Sequence, residues 1–153
     1  MQPFLGRVVV ALAWAVATPA ALADVTVATP WIRGVVAGQT ATGAFMTIRS
    51  TDAVELVEVS SPAAADVSVH RTAMVDGMMA VEPVDTLAVP AHGSVELKPG
   101  SFHVMLMGLR APLHAGQKVP LTLHFRAADG RESALTVQAE VRDVTGAPSH
   151  AQN

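Results

Sequence analysis

The segment KVPLTLHFRAADGRESALTVQAEVR, residues 118–142, decides the fold class. In its two halves, Lys118–Phe125 and Ala134–Arg142, apolar side chains occupy every second position, which is the period of a strand with one buried face. The Ala128-Asp129-Gly130 segment between the halves is typical of a hairpin turn. These residues therefore predict a β-hairpin with one face in the core.

Short alternating runs divided by Gly, Pro and Asp continue toward the N-terminus, and none has the 3.6-residue period over the length of a helix. The further predicted strands are Thr42–Ser50, Val54–Ser60, Val67–Thr72, Thr86–Pro90, Ser94–Leu97 and Ser101–Leu109. Seven or more short strands at this spacing predict an all-β domain, built as a two-sheet sandwich or a Greek-key barrel.

The composition narrows the possible functions. A chain of 153 residues with 50% hydrophobic residues has room for one packed domain and is not a disordered polymer. The net charge of −3, without a basic run, disfavours nucleic acid as a partner. The absence of cysteine excludes disulfides, thiolate nucleophiles, cysteine-based zinc sites and blue copper sites.

Residues 1–23 have the pattern of a signal peptide. A single cation precedes the apolar run Val8–Val16, and small residues end the segment at Ala23. A transmembrane anchor is the alternative, but a proline interrupts the segment and the run is shorter than the roughly 20 residues that a bilayer requires. We expect an exported domain at 24–143, without stable membrane insertion after cleavage, and a flexible tail at 144–153.

A candidate metal site lies in SFHVMLMGL, residues 101–109. Strand alternation places His103, Met105 and Met107 on the face opposite the apolar residues. The imidazole of His103 and the thioether of Met105 are two positions apart, or about 6.6 Å between Cα atoms, so both side chains can reach one metal ion. His70 lies on the polar face of an earlier strand, near the Met-rich segment Met74–Met79.

The donor types indicate which metal such a site would take. Imidazole and thioether groups are soft donors that suit Cu(I), whereas Mg²⁺ and Ca²⁺ require carboxylates and zinc binds thioethers poorly. The structural alternative is that the methionines fill a core and the histidines are solvated. A protein with this donor set and no cysteine would carry copper rather than cycle it between oxidation states.

Three segments resemble the PCuAC-type periplasmic copper(I) chaperones: TGAFMTI, HRTAMVDGMMAVEPVD and LKPGSFHVMLMGLRAPLHAGQKVPLTLHF. The resemblance extends over roughly residues 25–141. It implies a cupredoxin-like β-barrel in the periplasm that binds Cu(I) through two His and two Met. It also implies copper delivery to the binuclear centre of cytochrome c oxidase, in its subunit II domain, alongside Sco-type thiol proteins. The corresponding residues here are His70, His103 and Met105.

One ligand of the family motif is missing. The motif has a Met eleven positions after the first His, and this chain has Val81 there. We expect Met79, two residues earlier and on the same face of a regular strand, to replace it, with Met74 in reserve. The alternative is a three-ligand or weakened site. A His- and Met-rich C-terminal tail, present in some relatives, is also missing, so a second site for Cu(II) is not expected.

The sequence thus predicts a monomeric copper(I) metallochaperone that is not an enzyme, since neither a nucleophile nor paired carboxylates accompany the candidate ligands. The first alternative is a general copper-buffering protein without a dedicated acceptor. The second is an adhesion or scaffold sandwich that binds no metal.

Overall fold

The computed structural model describes residues 24–143, and both the predicted signal peptide and the predicted tail lie outside the described residues. Those residues form ten strands and no helix. The strands are β1 (Val25–Arg33), β2 (Ala41–Ser50), β3 (Val54–Ser60), β4 (Ala64–Val75), β5 (Met78–Pro83), β6 (Leu87–Val89), β7 (Gly93–Leu97), β8 (Phe102–Leu109), β9 (Lys118–Ala127) and β10 (Glu132–Arg142). Within this part of the chain, no helix long and apolar enough to cross a membrane occurs.

The strands form one curled sheet in the order β5-β4-β8-β2-β1-β10-β9-β3-β6. Only the pairing of β1 with β10 is parallel among those recorded for residues 24–143. Strand β2 has two partners, since its residues 41–44 pair with β8 and its residues 46–50 pair with β7. The sheet therefore branches at β2, and the branch strand β7 contacts β6, the last strand of the order.

The curled sheet encloses one hydrophobic core. Its largest fully buried side chains are Phe125, Ile32, Ile48, Leu56, Leu97, Leu106, Leu121, Leu123, Val89, Val104 and Val141. Leu121, Leu123 and Phe125 come from alternate positions of β9 and are at most 1% exposed, as the period-two pattern predicts. Burial of this apolar face is the main term that stabilises the fold.

The all-β prediction is confirmed, and most predicted strands agree with observed ones within a few residues. The last two strands and their connecting hairpin are β9 and β10, and Val54–Ser60 is β3 in full. Asp76-Gly77, a residue pair typical of hairpin turns, forms one here: both residues have positive φ, 50° and 78°, as a two-residue hairpin turn requires. This turn joins β4 to β5.

Two strands were not delimited by the sequence, for different reasons. In β1 the register shifts between Ala28 and Trp31, and Thr29 has φ of 49°, so the alternation of side chains is interrupted. Strand β5 is an edge strand with no buried residue, so it has no apolar face to recognise. Because β5 pairs with β4, the latter also extends to Val75, beyond the predicted end at Thr72.

Candidate metal centre

His70 of β4 and His103 of β8 are direct cross-strand partners, so their side chains lie on the same face of the sheet. Their ring centroids are 6.1 Å apart and the ring planes differ by 28°. The neighbouring pair Val69 and Val104 faces the core instead. The two imidazoles that the sequence singled out therefore lie side by side on the outer face of the sheet.

Met105 lies on the same face, one alternation beyond His103 along β8. Its cross-strand partner on β4 is Ser68, and its partner on β2 is Gly43. The structure thus brings three of the four predicted donors, His70, His103 and Met105, to adjacent positions of two neighbouring strands.

A backbone hydrogen bond orients His103. Its Nδ1 is 3.1 Å from the carbonyl oxygen of Ser101, so Nδ1–H donates to that oxygen. The tautomer fixed by this bond leaves Nε2 with a free lone pair, which is the form of imidazole that binds metal ions. The side chain is only 8% exposed, with the ring of Phe45 6.4 Å away between centroids.

His70 has a buried nitrogen without a partner. Its Nε2 is 2.9 Å from Ser68 Oγ, whereas no described residue forms a hydrogen bond with the buried Nδ1. When Nε2–H donates to the Ser68 hydroxyl, Nδ1 carries a lone pair and no proton. A buried polar atom without a hydrogen-bond partner costs free energy. Coordination of a metal ion by the Nδ1 lone pair would remove that cost.

The surroundings of His70 favour its neutral form. Partial burial lowers the pKa of the imidazole below 6.5, the neighbouring His103 lowers it further, and the carboxylate of Asp66 opposes both effects. A neutral imidazole has the lone pair that a metal ion requires. The local electrostatics therefore prepare His70 as a ligand at neutral pH.

A cavity of about 330 Å³ opens beside His103 and Met105. Phe45 forms one wall, and its ring lies over β2 because position 43 is a glycine, where a Cβ would be 3.1 Å from the tip of the ring. The guanidinium of Arg33 also lines the cavity, with its Cζ 5.7 Å from the centroid of Phe45. His103 and Met105 thus face a space that an incoming group can enter.

The expected replacement ligand, Met79, lies on the predicted face but farther away. Val81 pairs with Thr72 and lines the cavity. Met79 pairs with Met74, and this pair lies two residues nearer the hairpin turn. At about 3.3 Å per residue and 4.8 Å between strands, the Cα of Met79 is about 14 Å from that of His70. Met79 is 70% exposed, and it reaches the other donors only if the hairpin bends.

The remaining methionines occupy other environments. Met107 shares the outer face and is paired with Asp66, Met46 is 3% exposed in the core, and Met78 is on the opposite face of β5 from Met79. Across residues 24–143, no group of three or more His, Asp or Glu residues is arranged to hold a metal ion. The donor cluster therefore consists of two imidazoles and a thioether.

The residues that support the donors were not evident from the sequence. Ser68 and Ser101 each lie two positions before a candidate histidine and hydrogen-bond to it, and Phe45 covers His103. The spacing Ser68-x-His70 was an available signal, since side chains at i and i+2 share a face of a strand. Ser101 bonds His103 through its backbone carbonyl, which any residue could supply, so its identity carried no signal. The position of Phe45 depends on long-range strand pairing and left no local signal.

Comparison with known proteins agrees with this architecture. Residues 25–141 match the family described as "Putative lipoprotein LpqE-like". "Putative lipoprotein Lxx21020" from Leifsonia xyli subsp. xyli is 37% identical over 134 residues, which cover 85% of this chain and 77% of that protein.

Two solved structures share the fold. The solution structure of CuI-DR1885 from Deinococcus radiodurans has 35% identity and a TM-score of 0.53, and the match covers 84% of this chain and 81% of that one. The copper-bound PCuAC domain from PmoF2 has 22% identity and a TM-score of 0.61, covering 78% of this chain and 92% of that one. The predicted PCuAC-type, cupredoxin-like fold is confirmed.

Proposed function

The chain belongs to the LpqE-like family, and from this premise and the geometry of the donor cluster we propose that it is an exported metallochaperone for Cu(I). The observation that carries the proposal is the direct pairing of His70 with His103, with Met105 next to them on the same face. The names of two structural neighbours, CuI-DR1885 and the copper-bound PCuAC domain from PmoF2, support copper as the metal.

The donor chemistry fits a cargo ion. Imidazole and thioether are neutral, polarizable ligands that match Cu(I), which accepts low coordination numbers. Neutral ligands do not compensate the charge of the ion, so the site holds it less tightly than a pair of thiolates would. Copper therefore transfers favourably from these donors to cysteine ligands of an acceptor.

The cavity beside the donors gives the acceptor a route. A thiolate that enters next to Met105 can bind the ion before His70 or His103 releases it, so copper is not set free. Arg33 on the cavity wall attracts such an anionic donor. We therefore assign binding and transfer to this site, rather than catalysis.

We propose Met79 as the fourth donor. Its support is its place on the same face as His70 and the length and flexibility of its side chain. The separation of about 14 Å between Cα atoms requires the β4–β5 hairpin to bend toward the histidines when copper binds. A site of His70, His103 and Met105 alone is the alternative, and Met74 is the reserve donor.

The acceptor that we propose is the copper-centre domain of cytochrome c oxidase subunit II, with Sco-type thiol proteins acting alongside. This proposal follows from the family resemblance and from the preference of Cu(I) for thiolates. The location that we propose is the periplasm, with export directed by residues 1–23. The lipoprotein names of the family and of the Leifsonia relative support export.

The decisive experiment combines a Cu(I) titration against a chromogenic chelator with X-ray absorption of the copper-loaded protein. We expect one tightly bound equivalent with two nitrogen ligands and one or two sulfur ligands. Absence of nitrogen ligands would overturn the assignment of the histidines.

Transfer is tested separately, by mixing the Cu(I)-loaded protein with a purified oxidase copper domain in its apo form. We expect the acceptor to fill while the donor empties, at a rate that depends on acceptor concentration. Copper that binds with two nitrogen ligands but never reaches the acceptor would favour the buffering function.

A further inference from the structure

The tip of the β4–β5 hairpin exposes an unusual concentration of thioether groups. Met74, Met78 and Met79 are 67%, 73% and 70% exposed. Val75 and Val81 of the same hairpin are exposed as well, and in the rest of the described chain Val36 is the one other large hydrophobic residue with this exposure. Apolar side chains that cluster at one exposed position usually indicate a binding site.

Two of these methionines form a pair. Met74 and Met79 are cross-strand partners, so they project from the same face of the hairpin, whereas Met78 projects from the other. Cβ atoms of directly opposed residues are about 4.5–5.5 Å apart, and a methionine has three rotatable side-chain bonds. Both sulfur atoms can therefore bind a single ion.

The local backbone keeps the two residues in register. The turn Asp76-Gly77 has positive φ at both positions, as the tight two-residue connection of a hairpin requires. On the other side of the pair, Arg71 and Glu82 are also cross-strand partners and form an ion pair with a separation of 2.8 Å. The methionine pair thus lies between the turn and this ion pair, both of which keep the two strands of the hairpin in register.

The pair is separate from the histidines. Met74 is four residues from His70 along β4, so the methionine pair lies about 13 Å along the strands from the paired histidines His70 and His103. The cross-strand pair Thr72 and Val81 lies between the two groups on the same face and offers no sulfur or imidazole. One ion cannot contact both groups of donors unless the hairpin bends.

We propose that Met74 and Met79 form a second, weaker site for soft monovalent ions, where Cu(I) is first acquired. Two exposed thioethers bind such an ion loosely and release it readily. Met79 is then the residue that carries the ion inward, toward His70. Binding at the pair stands by itself, while the acquisition role rests on the proposed copper function.

The test of binding uses Ag(I), a soft d¹⁰ ion that does not change oxidation state. The protein is labelled with ¹³C at the methionine methyl groups. It carries His70→Ala and His103→Ala, so that both imidazole ligands of the proposed copper site are absent. We expect one equivalent of Ag(I) to bind and to shift the methyl signals of Met74 and Met79 together. The signal of Met78, on the other face of the same hairpin, should not move.

Leucine variants show whether the ion binds to the sulfur atoms, because leucine keeps the apolar surface of methionine and lacks its sulfur. Met74→Leu with Met79→Leu, added to the histidine variants, should abolish Ag(I) binding at the hairpin, while Met78→Leu should leave it unchanged. Binding that survives the double leucine variant, or that shifts only Met105 and Met107, would overturn the proposal.

A kinetic measurement keeps the proposal testable if the histidine variants fail to fold. With all histidines and Met79 present, we expect the Met74→Leu protein, in which the methionine pair is broken, to take up Cu(I) from a chelator about tenfold more slowly than the Met78→Leu protein. Equal rates would overturn the acquisition role. A wild-type protein in which Cu(I) leaves the Met105 methyl signal unchanged would instead contradict the proposed copper function.

Discussion

The histidine pair and the hairpin tip both contain neutral donors that suit Cu(I), but the surrounding strands hold them to different degrees. His70 and His103 lie on β4 and β8, each of which has a partner strand on both sides, and His103 is nearly buried. Met74 and Met79 lie at the end of a hairpin whose outer strand, β5, is the edge of the sheet. The first pair is held in place by its neighbours, and the second lies exposed at the edge of the sheet.

This difference shows how one sheet can provide both stable binding and exchange. Donors that neighbouring strands and hydrogen bonds hold in place lose little conformational entropy when the ion binds. Donors on an exposed edge lose more, so they bind more weakly and exchange faster.

Removal of His103 should have the largest effect on copper binding. We expect His103→Ala to lower the Cu(I) affinity by more than about a hundredfold, because it removes a ligand and not only a group that supports one. Chelator competition measures the loss. His124→Ala on β9 is the matched control, and a similar affinity in the two variants would contradict the ligand role of His103.

Removal of the Ser68 hydroxyl should have the next largest effect. Ser68→Ala leaves His70 without the hydrogen bond that orients it, and loss of such a supporting group typically costs 10–100-fold in metal affinity. Ser68→Thr keeps the hydroxyl and should retain most of the affinity. If alanine and threonine behave alike, the hydroxyl does not position the imidazole.

Val81→Met should increase the affinity for Cu(I) by about tenfold, since it places a thioether in the row next to His70 that valine cannot provide. The same substitution in a Met79→Ala background distinguishes the two sources of sulfur. A larger gain in that background would show that Met79 is a ligand in the wild-type protein. No gain in either background would indicate that position 81 is too far from the ion.

The smallest effect concerns acid stability of the metal-free protein. The pKa of His70 is lowered in the folded state by burial and by His103, so the unfolded chain takes up a proton first as the pH falls through about 6.5. The free energy of unfolding should therefore decrease from pH 7.5 to pH 5.5, and by less in His70→Gln. Denaturant titrations at both pH values measure this difference, and equal decreases would contradict it.

The sequence was informative where side-chain alternation is regular. Alternation in Ser101–Leu109 correctly placed Val104 and Leu106 on the core face and His103 and Met105 on the opposite face, because a strand with one core face leaves a period-two pattern. The Asp76-Gly77 turn was also predictable, since few residue pairs tolerate positive φ at both positions.

The sequence was uninformative where long-range register determines the structure. Nothing local to His70 or His103 indicates that these residues are opposite each other, because that pairing depends on how β4 and β8 align. The position of Met79 relative to the histidines depends on strand register in the same way. The strand face on which Met79 lies was predictable, because Met79 is two residues before Val81. The distance of Met79 from the histidines was not predictable.

The parallel pairing of β1 with β10 has a consequence for the order of assembly. Its register joins Trp31, near the start of the domain, to Glu140, near its end. A chain that emerges N-terminus first, from a ribosome or through a translocation channel, cannot complete this contact until the last strand has emerged. The topology thus delays final closure of the domain until nearly all of its residues have passed through.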